Sequence, residues 1–214
     1  MKRKIKTVFL LIFLALLLPV LTNCDDATPE QDTIKEVQEE DAEDLGPVDS
    51  QEVTEEGFAA DGEIGSQEYK SSKELEDFTL YWSIDEEYLY MGMKASTEGY
   101  VSIGFDPSEQ MKDADMVFGY FKEGQATVLD LYSTGNFGPH PPDEELGGTD
   151  DIIEFGGDES NGYTIIEFKR LLVTGDEYDK DISKGTLSVI WAFGNADDLD
   201  RSHSKRGSGE IDIE

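Results

Sequence analysis

The sequence predicts an all-β fold, an antiparallel β-sandwich, on three observations. From Phe78 onward apolar residues recur with period two rather than 3.6. The alternating runs are short and are separated at regular intervals by Asp, Glu, Gly and Pro turn signals. No stretch of this region carries the apolar stripe of a long amphipathic helix.

Residues 78–84, Phe-Thr-Leu-Tyr-Trp-Ser-Ile, read as a strand, rich in the aromatic and branched side chains that fit a pleated surface. Residues 87–93 read as its hairpin partner across Asp85-Glu86. Residues 100–105 form a third strand that stops at Asp106-Pro107, because proline lacks the amide donor that a ladder needs. Residues 116–121 and 127–132 form a second hairpin across Glu123-Gly124. Strands at 152–155, 163–168 and 187–193 follow, and residues 210–213 form the last. Residues 169–172 read as one short turn. Two long connections, 133–151 and 194–209, break the rhythm, and long loops on a sheet scaffold are where function concentrates.

Ahead of the sandwich the chain changes character twice. Lys2, Arg3, Lys4 and Lys6 precede an apolar run from Val8 to Val20 that is short for a bilayer span, so residues 1–23 read as a signal peptide. Cys24 follows at once and is the only cysteine, so it has no partner for an internal disulfide. Leu21-Thr22-Asn23-Cys24 resembles a bacterial lipobox, departing from it at Asn23, and implies lipid attachment at Cys24. Residues 24–57 read as an acidic, disordered tether with Lys35 as their single cation. Residues 58–214 read as the one folded domain. The formal net charge of −32 excludes nucleic acid as a partner and excludes a polybasic membrane patch. Membrane contact is therefore expected through the lipid anchor, on the extracytoplasmic side.

Histidine is scarce, with only two in the chain. His203 sits in Ser202-His203-Ser204-Lys205-Arg206, and Met111 sits in the polar stretch 107–113, where a methionine is a poor core residue. A thioether and an imidazole are a pair that holds haem iron from opposite faces. Met116 alternates with Phe118 and reads as core. Met91 and Met93 read as core or pocket lining, with Met93 a fallback ligand. His140, in Gly138-Pro139-His140-Pro141-Pro142, has no histidine near it in sequence and reads as structural or surface. Asp143, Glu144, Glu145, Asp150 and Asp151 could hold a calcium ion, although their spacing is not that of an EF-hand loop. The sequence has no glycine-rich phosphate loop, nucleophile elbow or zinc-histidine motif.

Seven motifs in order then give a family likeness. They are Asp61-Gly-Glu-Ile64 with Glu68-Tyr69, Leu80-Tyr-Trp-Ser-Ile-Asp85, and Tyr88-Leu-Tyr-Met-Gly-Met93. Gly99-Tyr-Val-Ser-Ile-Gly-Phe105 follows, with Met111 and Ala114-Asp115-Met-Val117. Then come Asp130-Leu-Tyr132, Gly162-Tyr-Thr-Ile-Ile-Glu-Phe168, and Val189-Ile-Trp-Ala-Phe-Gly194 with His203 and Arg206-Gly207. From about residue 60 to residue 213 the chain resembles a DOMON domain, most of all the amino-terminal domain of the copper monooxygenases related to dopamine beta-hydroxylase. The resemblance implies an immunoglobulin-like β-sandwich whose opening strand lies near Asp61 to Tyr69. It implies haem b held between Met111 and His203, electron transfer at the cell envelope, and an unidentified redox partner protein at the membrane surface. Lys205 and Arg206 are then expected to pair with the haem propionates. The alternative is a carbohydrate or small-ligand binding module without haem, with Tyr81, Trp82, Tyr88, Tyr90, Tyr100 and Trp191 as stacking faces for a glycan. The copper-binding catalytic domains of those monooxygenases have no counterpart in this sequence, so no enzymatic activity is expected.

Overall fold

A computed structural model describes residues 57–214. The signal peptide, Cys24 and nearly all of the acidic tether lie outside the described residues. Ten strands and one helical turn follow in order: β1 (Ser71–Leu75), β2 (Phe78–Ile84), β3 (Tyr88–Ala95), β4 (Val101–Phe105), β5 (Asp115–Lys122), β6 (Gln125–Tyr132), α1 (Asp143–Leu146), β7 (Ile152–Ser160), β8 (Tyr163–Leu171), β9 (Gly185–Phe193) and β10 (Lys205–Ile213). They form two five-stranded sheets, ordered β1-β2-β3-β8-β7 and β10-β9-β4-β5-β6. Every ladder is antiparallel.

The hairpins follow from their turn residues. Asp85 turns β2 into β3 by accepting the amide hydrogens of Glu87 and Tyr88, at 2.8 and 2.7 Å. Glu123-Gly124 and Asn161-Gly162 have positive φ at both central positions, as a two-residue turn between right-twisted strands requires. Between the sheets lies a core of Phe78, Leu80, Met91, Met93, Ile103, Phe105, Val117, Ile166 and Phe168, all fully buried. The Trp82 indole of the first sheet donates to the Asp212 carbonyl of the second at 3.1 Å, which ties β2 to β10.

The expected elements change at several points. The segment near Asp61 to Tyr69 is not a strand. It packs on the outer face of the first sheet, where the Gly62 amide and the Tyr69 hydroxyl both donate to the buried Glu167 carboxylate at 2.7 Å. The first strand is instead β1, whose Ser-Ser-Lys-Glu-Leu sequence carries no apolar alternation because it is a sheet edge. Residues 169–172 are not a turn, since β8 continues to Leu171 with its ladder intact. The last strand spans nine residues rather than four, and its glycines at 207 and 209 had hidden the alternation.

Candidate functional site

The second sheet has two apolar faces, which creates the site. On β4 and β5, Val101, Ile103, Phe105 and Val117 face the core, while the alternate residues Met116 and Phe118 face outward. The outward set continues through Leu131 on β6 and Ile190 on β9 to form a second buried cluster beneath the loops. A cleft of about 380 Å³ opens on this outer face, floored by Met116, Ile190 and Ala192. An adjoining cleft of about 320 Å³ shares Met111, Met116, Ala192, His203 and Arg206 with it.

Both Met111 and His203 line these clefts. Met111 is half-buried in a tight double turn between β4 and β5. Asp106, Gln110 and Asp113 adopt left-handed backbone there, a strained state for residues with a side chain. The turn is held by Ser108 N to Lys112 O at 2.9 Å, Ala114 N to Met111 O at 3.1 Å and Asp113 N to Ser133 O at 2.8 Å. His203 closes the loop between β9 and β10. Tyr100 braces that loop by donating from its hydroxyl to Arg201 O at 3.2 Å, and Ser204 N donates to Phe193 O at 2.8 Å.

The electrostatics keep the imidazole neutral and engage its Nε2 lone pair with a neighbouring guanidinium. Arg206 Nη1 lies 3.3 Å from His203 Nε2. A guanidinium only donates, so Nε2 must accept and the ring hydrogen resides on Nδ1. Burial, and then the Arg206 charge, push the His203 pKa below its usual value. The imidazole is therefore neutral near pH 7, the form that binds a metal. Arg201 and Arg206 place two cations on the rim, with Asp200 beside them, on a chain that is otherwise strongly acidic.

Several residues fall in different places from those the sequence implied. Lys205 turns away from the cleft and pairs with Asp77 at the edge of the first sheet, because neighbouring residues of a strand point to opposite faces. Arg206 alone of that pair faces the cleft. Met116 is buried as expected, but on the cleft floor rather than in the central core. Met91 and Met93 are fully buried between the sheets, which removes Met93 as a fallback ligand. Trp82 and Tyr100 are also buried, at 6 % and 4 % exposure, and offer no open face for stacking a sugar. His140, expected to stand apart from the other histidine, lines the same cleft as His203.

A second polar group lies inside the sandwich. Asp115, Asp130 and Arg170 sit in phase with the core residues Val117, Val128 and Phe168 on their strands, a signal legible in the sequence but not read there. Arg170 is fully buried and reaches Asp115 at 2.8 Å and Asp179 at 3.2 Å. Carboxylate oxygens of Asp115, Asp130 and Asp179 lie within 4.8 Å of one another and could surround a cation, a role that the Arg170 guanidinium fills. Burial pushes Asp130 up to about 8, Asp143 to about 7 and Asp179 to about 6. Neighbouring carboxylates add to each rise. The carboxylates at 143–151 that could have held calcium do not converge: Asp143 turns inward while Glu144, Glu145 and Asp150 are exposed.

The cleft's donor set fits a haem. It offers a thioether, a neutral imidazole, an apolar floor for the macrocycle and guanidinium groups for its carboxylates. Comparison with known proteins places the domain. The DOMON domain family matches residues 74–194, which include Met111 and stop short of His203. DBH-like monooxygenase protein 1 of Homo sapiens is 31% identical over 142 residues, 66% of this chain and 22% of that protein. MOXD1 homolog 1 of Drosophila melanogaster is 25% identical over 145 residues, 64% of this chain and 20% of that protein. The chain thus spans about a fifth of the length of these relatives. Among solved structures, the cytochrome domain of Myriococcum thermophilum cellobiose dehydrogenase is similar at a TM-score of 0.48 and 11% identity, covering 67% of this chain and 82% of that one. With the family match running from β1 to the residue after β9, over more than half of its length, the chain belongs to the DOMON domain family.

Proposed function

We propose that this domain carries one b-type haem between Met111 and His203 and passes electrons between partners on the extracytoplasmic side of a membrane. The observation that carries the reading is that these two side chains, from loops far apart in sequence, line one cleft on the outer face of the second sheet. The bound group supplies one-electron redox chemistry. The chain's own residues do the rest. Met111 and His203 would hold the haem iron through a thioether and an imidazole, a ligand pair that would suit electron transfer rather than oxygen chemistry. Met116, Ile190 and Ala192 present an apolar floor that excludes water. Arg206, which lies against His203 Nε2, would pair with a haem propionate once that nitrogen is engaged by iron. Hydroxylation, as the names of the monooxygenase relatives describe it, is not part of the proposal.

The test is titration of the purified protein with haem, followed by visible absorption. One haem per chain with a low-spin b-type spectrum is expected, and His203→Ala should lose it. A protein that stays colourless, or a spectrum indifferent to His203→Ala, contradicts the reading.

A further inference from the structure

The cleft contains a third side chain able to bind iron. His140 lines it together with Met111 and His203. Its loop and the Met111 turn are stitched to one another. Asp113 N donates to Ser133 O at 2.8 Å, and Ser133 N donates back to Ala114 O at 2.9 Å. From Ser133 the chain runs into the proline-flanked segment, which Tyr132 N and Thr134 N fasten by donating to Pro141 O and Pro139 O, each at 3.1 Å. Met111 and His140 therefore stand on the same rim, with His203 arriving from the β9–β10 loop.

His140 Nδ1 is buried and has no hydrogen-bond partner among the described residues. A buried polar atom without a partner is costly and rare enough to need a reason. Burial, and then the nearby His203, lower the His140 pKa and keep the ring neutral. A neutral imidazole that lines a cleft beside a thioether, with its buried nitrogen committed to no neighbour, is a ligand held in reserve.

Resting on the haem reading, we infer that His140 is an alternative axial ligand that takes the place of Met111 opposite His203. In the exchange the iron–sulfur bond to Met111 breaks and an iron–nitrogen bond to His140 forms. Both ligands are neutral, so no proton or electron is transferred in the step. The consequence is a second electronic state of the same carrier, with a lower reduction potential, since a thioether holds the potential above that of a second imidazole.

The test compares haem-loaded wild type, Met111→Ala, His140→Ala and the double variant by electron paramagnetic resonance, near-infrared absorption and potentiometry. Wild type and His140→Ala should both be low-spin and show the near-infrared band of a thioether–iron bond. Met111→Ala should lose that band, remain low-spin and shift to a lower midpoint potential. The double variant should become high-spin. Met111→Leu, which preserves side-chain volume, is carried in parallel and should behave as Met111→Ala does. High-spin iron already in both Met111 single variants, or low-spin iron persisting in the double variant, overturns the inference while leaving the haem reading intact. Wild type that takes up no haem overturns both, and does so before any variant is compared.

Discussion

Replacing Arg170 by Met would remove the buried guanidinium that lies among four inward-facing carboxylates, those of Asp115, Asp130, Asp143 and Asp179, while keeping most of the side-chain volume. Arg170 is 0 % exposed and contacts Asp115 at 2.8 Å and Asp179 at 3.2 Å. Removing one partner of a buried ion pair costs about 3–5 kcal/mol, because the remaining charge stays buried and uncompensated. For a domain of this size that corresponds to a fall in Tm of about 6–20 °C, at about 2–4 °C per kcal/mol. The cost should depend on pH. Asp130, Asp143 and Asp179 titrate at about 8, 7 and 6 in the folded protein, so in acid they are protonated and the missing guanidinium matters less. Thermal unfolding of wild type and Arg170→Met at about pH 5.5 and about pH 8.5 reads this directly, with the larger loss at the higher pH. A fall of less than about 2 °C at the higher pH, or equal falls at both, would refute the assigned role of the guanidinium.

Three further outcomes follow from the same geometry. Asp130, Asp143 and Glu167 all have folded pKa values raised, chiefly by burial, to about 8, 7 and 7. The native state therefore binds more protons than the unfolded chain between about pH 4 and about pH 8, and wild-type stability should fall as pH rises through that window, as a Tm series would show. Gly156→Ala would place a Cβ 1.8 Å from Ala60 O, so residues 57–62 must lift from the sheet. The Gly62 amide, which donates to Glu167, should then lose its hydrogen-exchange protection, while a Gly62 amide that stays protected counts against the packing described. Ala192→Trp would fill the cleft floor, and haem affinity measured by titration should fall at least about tenfold, or about 1.4 kcal/mol, while the unfolding midpoint stays unchanged. Unaltered haem affinity would place the haem elsewhere.

The sandwich was legible because period-two alternation marks a half-buried sheet wherever strands are central and apolar, as in β2, β3, β4 and β9. Edges were not. β1 is polar throughout except for Leu75, and β10 carries glycines where side chains would have shown the period. The site was half legible. Met111 stood out as an apolar residue in a polar loop, and His203 as a scarce imidazole. The cleft itself depends on β5 being apolar on both faces, so Met116 read as core and only the sheet order shows which side it faces. His140 joins it because backbone hydrogen bonds fold its loop against the Met111 turn, an arrangement that no local pattern encodes. Charges at core-phase positions, Asp115, Asp130 and Arg170, carried a signal of their own, since such residues are buried only when paired.

The measurement that bears most directly on the haem proposal is identification of the iron's two axial atoms in the haem-loaded protein, by X-ray absorption joined to crystallography. The proposal predicts one sulfur and one nitrogen, the thioether of Met111 and Nε2 of His203, with Arg206 moved from the imidazole to a propionate. Iron bound outside the cleft formed by Met116, Ile190 and Ala192, or held without both the Met111 sulfur and a His203 nitrogen, would contradict it.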